Sequence, residues 1–143
     1  MKDGEFNSII LTTMFRYLAP FILVYSVYVL FHGEYSPGGA FQAGGLFGIV
    51  IVLDCLIQGR ETILFLSTKP AVILAGIGVF LFVSVGILSM LNGGNFLEYD
   101  ELPFSILNTV KHTIGVTGIE IGIALCVAAT IIVIFDALYE GKE

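Results

Sequence analysis

Four long runs of apolar residues, broken by three polar stretches, dominate the chain. The runs extend from about Ile9 to Phe31, Ala40 to Ile57, Ala71 to Leu91 and Thr113 to Leu138. Each approaches the ~20 apolar residues that an α-helix needs to cross a bilayer. Within them the apolar positions are continuous and do not alternate, which excludes the strands of a membrane barrel. The pattern predicts an all-α integral membrane bundle of four transmembrane helices, residues 1–143 forming a single membrane domain. The first apolar run exceeds the ~7–15 residues of a signal-peptide core, and no small-residue cleavage site follows it, so it reads as a retained helix.

The connections differ in kind. The segment from His32 to Gly39 ends in Pro37-Gly38-Gly39 and reads as a tight turn joining two antiparallel helices. Residues 58–70 form a short polar link. The stretch from Asn92 to His112 is longer and carries Gly93-Gly94 and the acids Glu98, Asp100 and Glu101. A loop of that length predicts a short surface helix around Phe104 to Val110. Basic residues set orientation. Lys2, Arg16, Arg60, Lys69 and Lys142 fall on the side of the termini, and only Lys111 falls on the other. The imbalance places both termini in the cytoplasm.

Composition narrows the function classes. Hydrophobic residues make up 57% of the chain and charged residues 13%, against about 25% charged in soluble domains. A net charge of -6 argues against nucleic-acid binding, which needs basic surface. Cys55 and Cys126 sit singly in apolar runs, so no metal site and no cofactor are expected. No nucleophile–base set or cofactor loop supports a stand-alone membrane enzyme.

Small residues mark the contact faces. Ala40, Gly44 and Gly48 recur at four-residue spacing in the second helix, and Gly118 and Gly122 in the fourth, with Gly115 nearby. In lipid, such rows let backbones approach and pack. Four ionisable groups lie in the spans: Arg16, Asp54, Glu120 and Asp136. Arg16 and Asp54 are equally far from the first turn, which predicts a structural charge pair or a shared polar layer. Pro20 removes the N–H that would reach the Arg16 carbonyl, predicting a kink. Asp136, near Glu140 and Lys142, reads as interfacial. Glu120 lies about eight residues into the fourth run, ~12 Å deep by helical rise, near the middle of a ~30 Å core. Such a carboxyl is protonated, meets a partner subunit, or lines a water-filled path for protons or Na+. His32, at the end of the first helix, reads as a cap and as a candidate for a proton relay. The acids of the third loop read as a solvated surface or as an attractor of cations.

Two motifs together carry a resemblance. His32-Gly33 followed by Ser36-Pro37-Gly38-Gly39-Ala40-Phe41-Gln42-Ala43-Gly44, and later Thr117-Gly118-Ile119-Glu120-Ile121-Gly122, resemble the MnhB/MrpB-like family of small subunits of multisubunit Na+/H+ antiporters of the Mrp type. Ala40 and Ala124 stand where that family commonly has glycine. The resemblance implies a small, non-catalytic subunit in the plasma membrane of a prokaryote. It implies the other subunits of an Mrp-type complex as partners, and Na+ and H+ as the transported ions. Glu120 and His32 are the residues it offers for an ion or proton path. The alternative it leaves open is the equivalent subunit of a proton- or sodium-pumping membrane-bound hydrogenase or related respiratory complex.

Overall fold

The computed structural model describes residues 8–33, 39–59, 66–104 and 107–140. Its helices are α1 (Ile9–Phe31), α2 (Ala40–Gln58), α3 (Thr68–Leu91) and α4 (Asn108–Glu140), with a short 3-10 turn at Tyr99–Glu101. All four are long and apolar enough to cross a membrane. No strand occurs among the described residues. Pro37 and Gly38 of the first turn lie outside the described residues. The side holding the α1–α2 turn and the α3–α4 loop is termed outer below, following the basic-residue count.

Two boundaries and one loop differ from the apolar pattern. α3 starts at Thr68, ahead of the apolar run, because Pro70 falls in the first turn, where no intrahelical N–H is lost. α4 starts at Asn108 and takes in Asn108 to His112, which are polar yet compatible with a helix that continues out of the hydrocarbon. Of the surface helix expected around Phe104 to Val110, Asn108 to Val110 belong to α4 and Ser105 and Ile106 lie outside the described residues, while a 3-10 turn stands further back in the loop.

α4 is the mast of the bundle. It packs along both α2 and α3, while α1 packs on α2 and touches α4 only lightly. Neither α1 nor α2 packs on α3 among the described residues. The helices therefore stand in a row, in the order α1, α2, α4, α3. Where α2 and α3 splay apart, a cleft of about 420 Å³ remains, lined by Leu30, Phe47, Leu74, Leu125 and Ile132.

Glycine contacts set the spacing of the row. A Cβ on Gly44 would stand 2.6 Å from the Ala124 carbonyl oxygen, and one on Gly48 would stand 3.0 Å from the Ile131 side chain. α2 and α4 are thus parallel and in backbone contact. On the other side of α4, Gly122 crosses Gly78. A Cβ on Gly122 would lie 2.7 Å from the Gly78 carbonyl oxygen, and one on Gly78 2.5 Å from that of Gly122. Lipid tails do not press helices together, so this close contact between backbones is itself the source of attraction. Gly118 is looser, at 3.4 Å from Val85.

Polar groups inside the row are satisfied locally. The buried Ser26 and Ser89 hydroxyls donate to the Ile22 and Val85 carbonyls one turn back, at 2.7 and 3.2 Å. Asp136, near the inner end of α4, is 2% exposed, and its Oδ2 accepts both the Thr68 backbone N–H, at 3.0 Å, and the Thr68 hydroxyl. α3 has no cap from its own preceding residue, Ser67. The carboxylate of α4 therefore caps the start of α3 and ties the inner ends of the two helices together.

Candidate functional site

The outer ends of α1 and α2 form a notch with glycine on both sides. α1 closes at His32, whose backbone N–H bonds to the Tyr28 carbonyl at 3.1 Å. The His32 Nδ1 also lies 3.1 Å from that carbonyl. A carbonyl only accepts, so Nδ1 carries the proton in this bond, and in the neutral ring Nε2 is the acceptor nitrogen. The His32 ring stacks on Tyr28, with centroids 4.0 Å apart. α2 opens from Gly39, at φ 106°, a left-handed conformation that glycine adopts without steric cost. Gly33 and Gly39 pinch together: a Cβ on Gly33 would stand 2.9 Å from the Gly39 Cα.

Glu120 of α4 reaches into this notch. Its Oε1 occupies the space where a Gly33 Cβ would be, and lies 4.0 Å from a Cβ built on Gly39. The carboxyl thus sits beside the first turn of α2, which receives no side-chain cap from its own N-cap residue. Unsatisfied N–H groups and the positive end of the helix dipole favour an anion there. Glu120 is half-buried, with its carboxyl against the hairpin backbone at Gly33.

Its level is set by its neighbours on α3 and on the hairpin. Gly118 of α4 lies against Val85 of α3, six residues before the end of α3 at Leu91. Glu120 is therefore roughly 12 Å below the outer end of α3, yet it is level with the end of the α1–α2 hairpin. The hairpin is the shorter pair: α2 has 19 residues and α3 has 24. Gly33 and Gly39, on either side of the turn, lie against Glu120, and backbone outside a helix at membrane level is tolerated where it is buried in protein.

The outer loop bears on the same site from above. Phe96 fills the space beside Gly86 of α3, and Tyr99 fills the space beside Gly115 of α4. The Tyr99 ring meets the His112 ring edge-on, with centroids 5.0 Å apart. Leu102 is buried, and the Lys111 ammonium donates to the Asp100 carbonyl at 2.9 Å. Burial pushes the Tyr99 phenol above its usual range, and the Glu120 charge raises it further. Tyr99 therefore stays neutral at ordinary pH and remains an O–H donor in the field of Glu120. Of the loop acids, Glu98 accepts from the Asn95 backbone at 2.7 Å and from its side chain at 2.9 Å, so it closes a turn.

The other expected site residues are placed as follows. Asp54 is 4% exposed and accepts from the Gln58 side chain. Arg16 is exposed, and no ion pair joins it to Asp54 among the described residues. The two share a level. However, Phe15 and Ala19 take the face of α1 that packs on Val50 and Ile57, and Arg16 is rotated from Phe15 by about 100°. The apolar pattern does not mark out Tyr99, Gly33, Gly78 or Gly86 as site or contact residues. Gly78 and Gly86 leave a weak signal, as glycines eight residues apart in the third span, and Gly33 enters only through its motif, while Tyr99 lies in a loop where no periodicity operates.

Known proteins are similar to this chain over most of its length. The model of a family described as a domain related to the MnhB subunit of Na+/H+ antiporter matches residues 10–133, a stretch that includes Gly33, Gly39, Tyr99 and Glu120. The chain is similar to the B-type subunit of the Na(+)/H(+) antiporter of Bacillus subtilis (strain 168), 29% identical over 139 residues that cover 92% of this chain and 97% of the relative. It is also similar to the putative antiporter subunit mnhB2 of Staphylococcus haemolyticus (strain JCSC1435) and of Staphylococcus aureus (strain Newman). Each of these is 28% identical over 96% of this chain and 98% of the relative.

Proposed function

The chain belongs to the family of domains related to the MnhB subunit of Na+/H+ antiporters, and from that premise we propose that it serves a multisubunit antiporter through the Glu120 notch. It is a multi-pass subunit of a prokaryotic plasma membrane, a component of a transporter and not an enzyme. Its partners are the other subunits of an Mrp-type complex, and Na+ and H+ are the ions moved. The relatives carry antiporter names, so the hydrogenase-type alternative is not favoured.

The row of helices suits assembly. A row buries little of itself, and large apolar side chains such as Phe21, Val24, Phe80 and Leu91 remain exposed along it. Those faces are available to lipid and to neighbouring subunits.

The observation that carries the site reading is the position of Glu120. It is a carboxyl within a membrane span, set against glycine backbone at a helix start, with the Tyr99 phenol in its field and His32 at the end of the adjoining helix. Favourable contacts for the anion and partial burial against it act in opposite senses, which suits a group that takes up and releases a proton. His32 supplies an acceptor nitrogen at the same turn. In this reading Glu120 and His32 belong to an ion or proton path whose remaining members lie on other subunits.

The test is Glu120→Gln, assayed as Na+-driven proton movement in membrane vesicles. The expected result is an assembled complex with antiport reduced to near background, and partial retention in Glu120→Asp. Full activity in the assembled Glu120→Gln complex would remove Glu120 from the path.

A further inference from the structure

We propose that water reaches Glu120 from the outer side along the hydroxyls of Thr109, Thr113 and Thr117, which line the outer half of a proton route on α4. This inference rests on the reading of Glu120 as a proton-exchanging group, and extends it by naming the residues that line its access.

Rotation about α4 puts these residues on one face. At about 100° per residue, Thr117, Thr113 and Thr109 all fall within roughly 60° of Glu120, on its outer side. On the same face, on the inner side of Glu120, stand Ala124 and Ile131, which meet Gly44 and Gly48 of α2. One face of α4 is thus apolar where α2 packs on it and hydroxyl-bearing beyond. Glu120 marks the change. Because α2 and α4 are parallel and Gly44 lies against Ala124, the first residue of α2, Ala40, is level with Glu120. α1 has also ended there, since Gly33 lies against the carboxyl. Above that level Thr109 and Thr113 are exposed and Thr117 is half-buried.

The spacing suits a file of water. The Cα–Cβ bond of a helical residue tilts toward the helix N-terminus, which for α4 is the outer end, so the Glu120 side chain starts out toward the level of Thr117. Threonines four residues apart are ~6 Å apart along the axis, a gap that one water spans with two hydrogen bonds of ~2.8 Å. The Thr113 hydroxyl donates to the Thr109 carbonyl at 3.1 Å, which leaves its oxygen lone pairs to accept from water. Thr109 is ~16 Å from Glu120 along the axis, farther out than the end of α3 at ~12 Å. The row therefore covers the whole distance from the outer surface to the carboxyl.

The remaining faces of this part of α4 are differently made. Val110 and Ile114, roughly 80–120° around from Glu120, are exposed and apolar, as suits lipid or a neighbouring subunit. Lys111, Gly115 and Gly118 meet Asp100, Tyr99 and Val85 on the side of the loop and α3. His112 and Val116 border the threonine row, and the His112 ring stands edge-on to Tyr99. His32, stacked on Tyr28, is the titratable side chain at the hairpin end of the row.

The route is read by thiol labelling in the assembled complex. Thr117→Cys and Ile114→Cys are each treated with a charged, membrane-impermeant methanethiosulfonate added on the side of the α3–α4 loop. Modification is quantified by mass spectrometry of the peptide that carries the new cysteine. Thr117 lies three residues deeper than Ile114, so faster modification at Thr117 reports the face and not the depth. The expected result is modification of Thr117→Cys several-fold faster than Ile114→Cys. A rate at Thr117→Cys no higher than at Ile114→Cys would overturn the route. Transport gives a second reading. Thr117→Val, which keeps the shape and loses the hydroxyl, should slow Na+-driven proton movement several-fold, while Thr117→Ser stays near the unmodified complex. Unchanged transport in Thr117→Val, alongside its loss in Glu120→Gln, would also overturn the route. Full transport in Glu120→Gln together with fast labelling at Thr117→Cys would defeat the reading of Glu120 and leave water access standing, so the two failures are distinguishable.

Discussion

The two ends of α4 carry the same device for different purposes. Near the inner end, Asp136 caps the start of α3; toward the outer end, Glu120 lies at the start of α2. Both are carboxyls on the mast that meet the first turn of a neighbouring helix lacking a cap of its own. Asp136 is 2% exposed and takes two donors from one residue, Thr68. Glu120 is half-buried, lies against glycine backbone, and has a tyrosine and a histidine within its locale. A buried carboxyl bonded to a helix start works as a tie. A half-buried carboxyl beside titratable side chains suits the proton exchange proposed for Glu120.

The contrast gives graded expectations for stability, read as thermal unfolding of the purified complex or as its yield. Asp136→Leu orphans the Thr68 N–H and hydroxyl, each costing about 1–3 kcal/mol when buried. It should produce the largest loss of assembled complex. Gly78→Ala drives a methyl into the Gly122 carbonyl and should destabilise by about 1–3 kcal/mol through overpacking. Thr68→Ala removes one of the two donors to Asp136 and leaves the backbone bond, so a cost of about 1 kcal/mol is expected. Arg16→Gln should change stability little, as exposed charges do. Arg16→Glu should not rescue Asp54→Arg, since the two side chains are not paired. If Thr68→Ala proved as damaging as Asp136→Leu, the tie would depend on the hydroxyl and not on the cap as a whole.

Much of this architecture is legible in the residue pattern. The four spans follow from uninterrupted apolar runs, because the bilayer demands length and little else. Gly44, Gly48 and Gly122 stand out because four-residue spacing of small residues lines up on one face. What the pattern does not carry is the relative level and rotation of helices. Equal spacing from a turn puts Arg16 and Asp54 at one height, yet Phe15 and Ala19 claim the packed face of α1 and turn Arg16 away. Counting inward from Thr113 places Glu120 ~12 Å along its span, and what the count leaves out is that α1 ends and α2 begins beside it, near Gly33 and Gly39, a step below the end of α3. The site depends on that step. Glu120 meets Gly33 and Gly39 only because α1 ends and α2 begins at its height, and Tyr99 comes within its field only because the loop folds back onto α4 at Gly115. Such meetings are set by tertiary contact, and no local spacing encodes them.

The most direct measurement compares the two carboxyls by the same conservative change. Glu120→Gln and Asp136→Asn are each prepared in the full complex, and Na+-driven proton movement is recorded in vesicles matched for assembled protein. The expected result is near-background transport in Glu120→Gln and substantial transport in Asp136→Asn, whose amide oxygen still accepts from Thr68. Loss of transport in Asp136→Asn together with full transport in Glu120→Gln would reverse the assignment of roles and contradict the account.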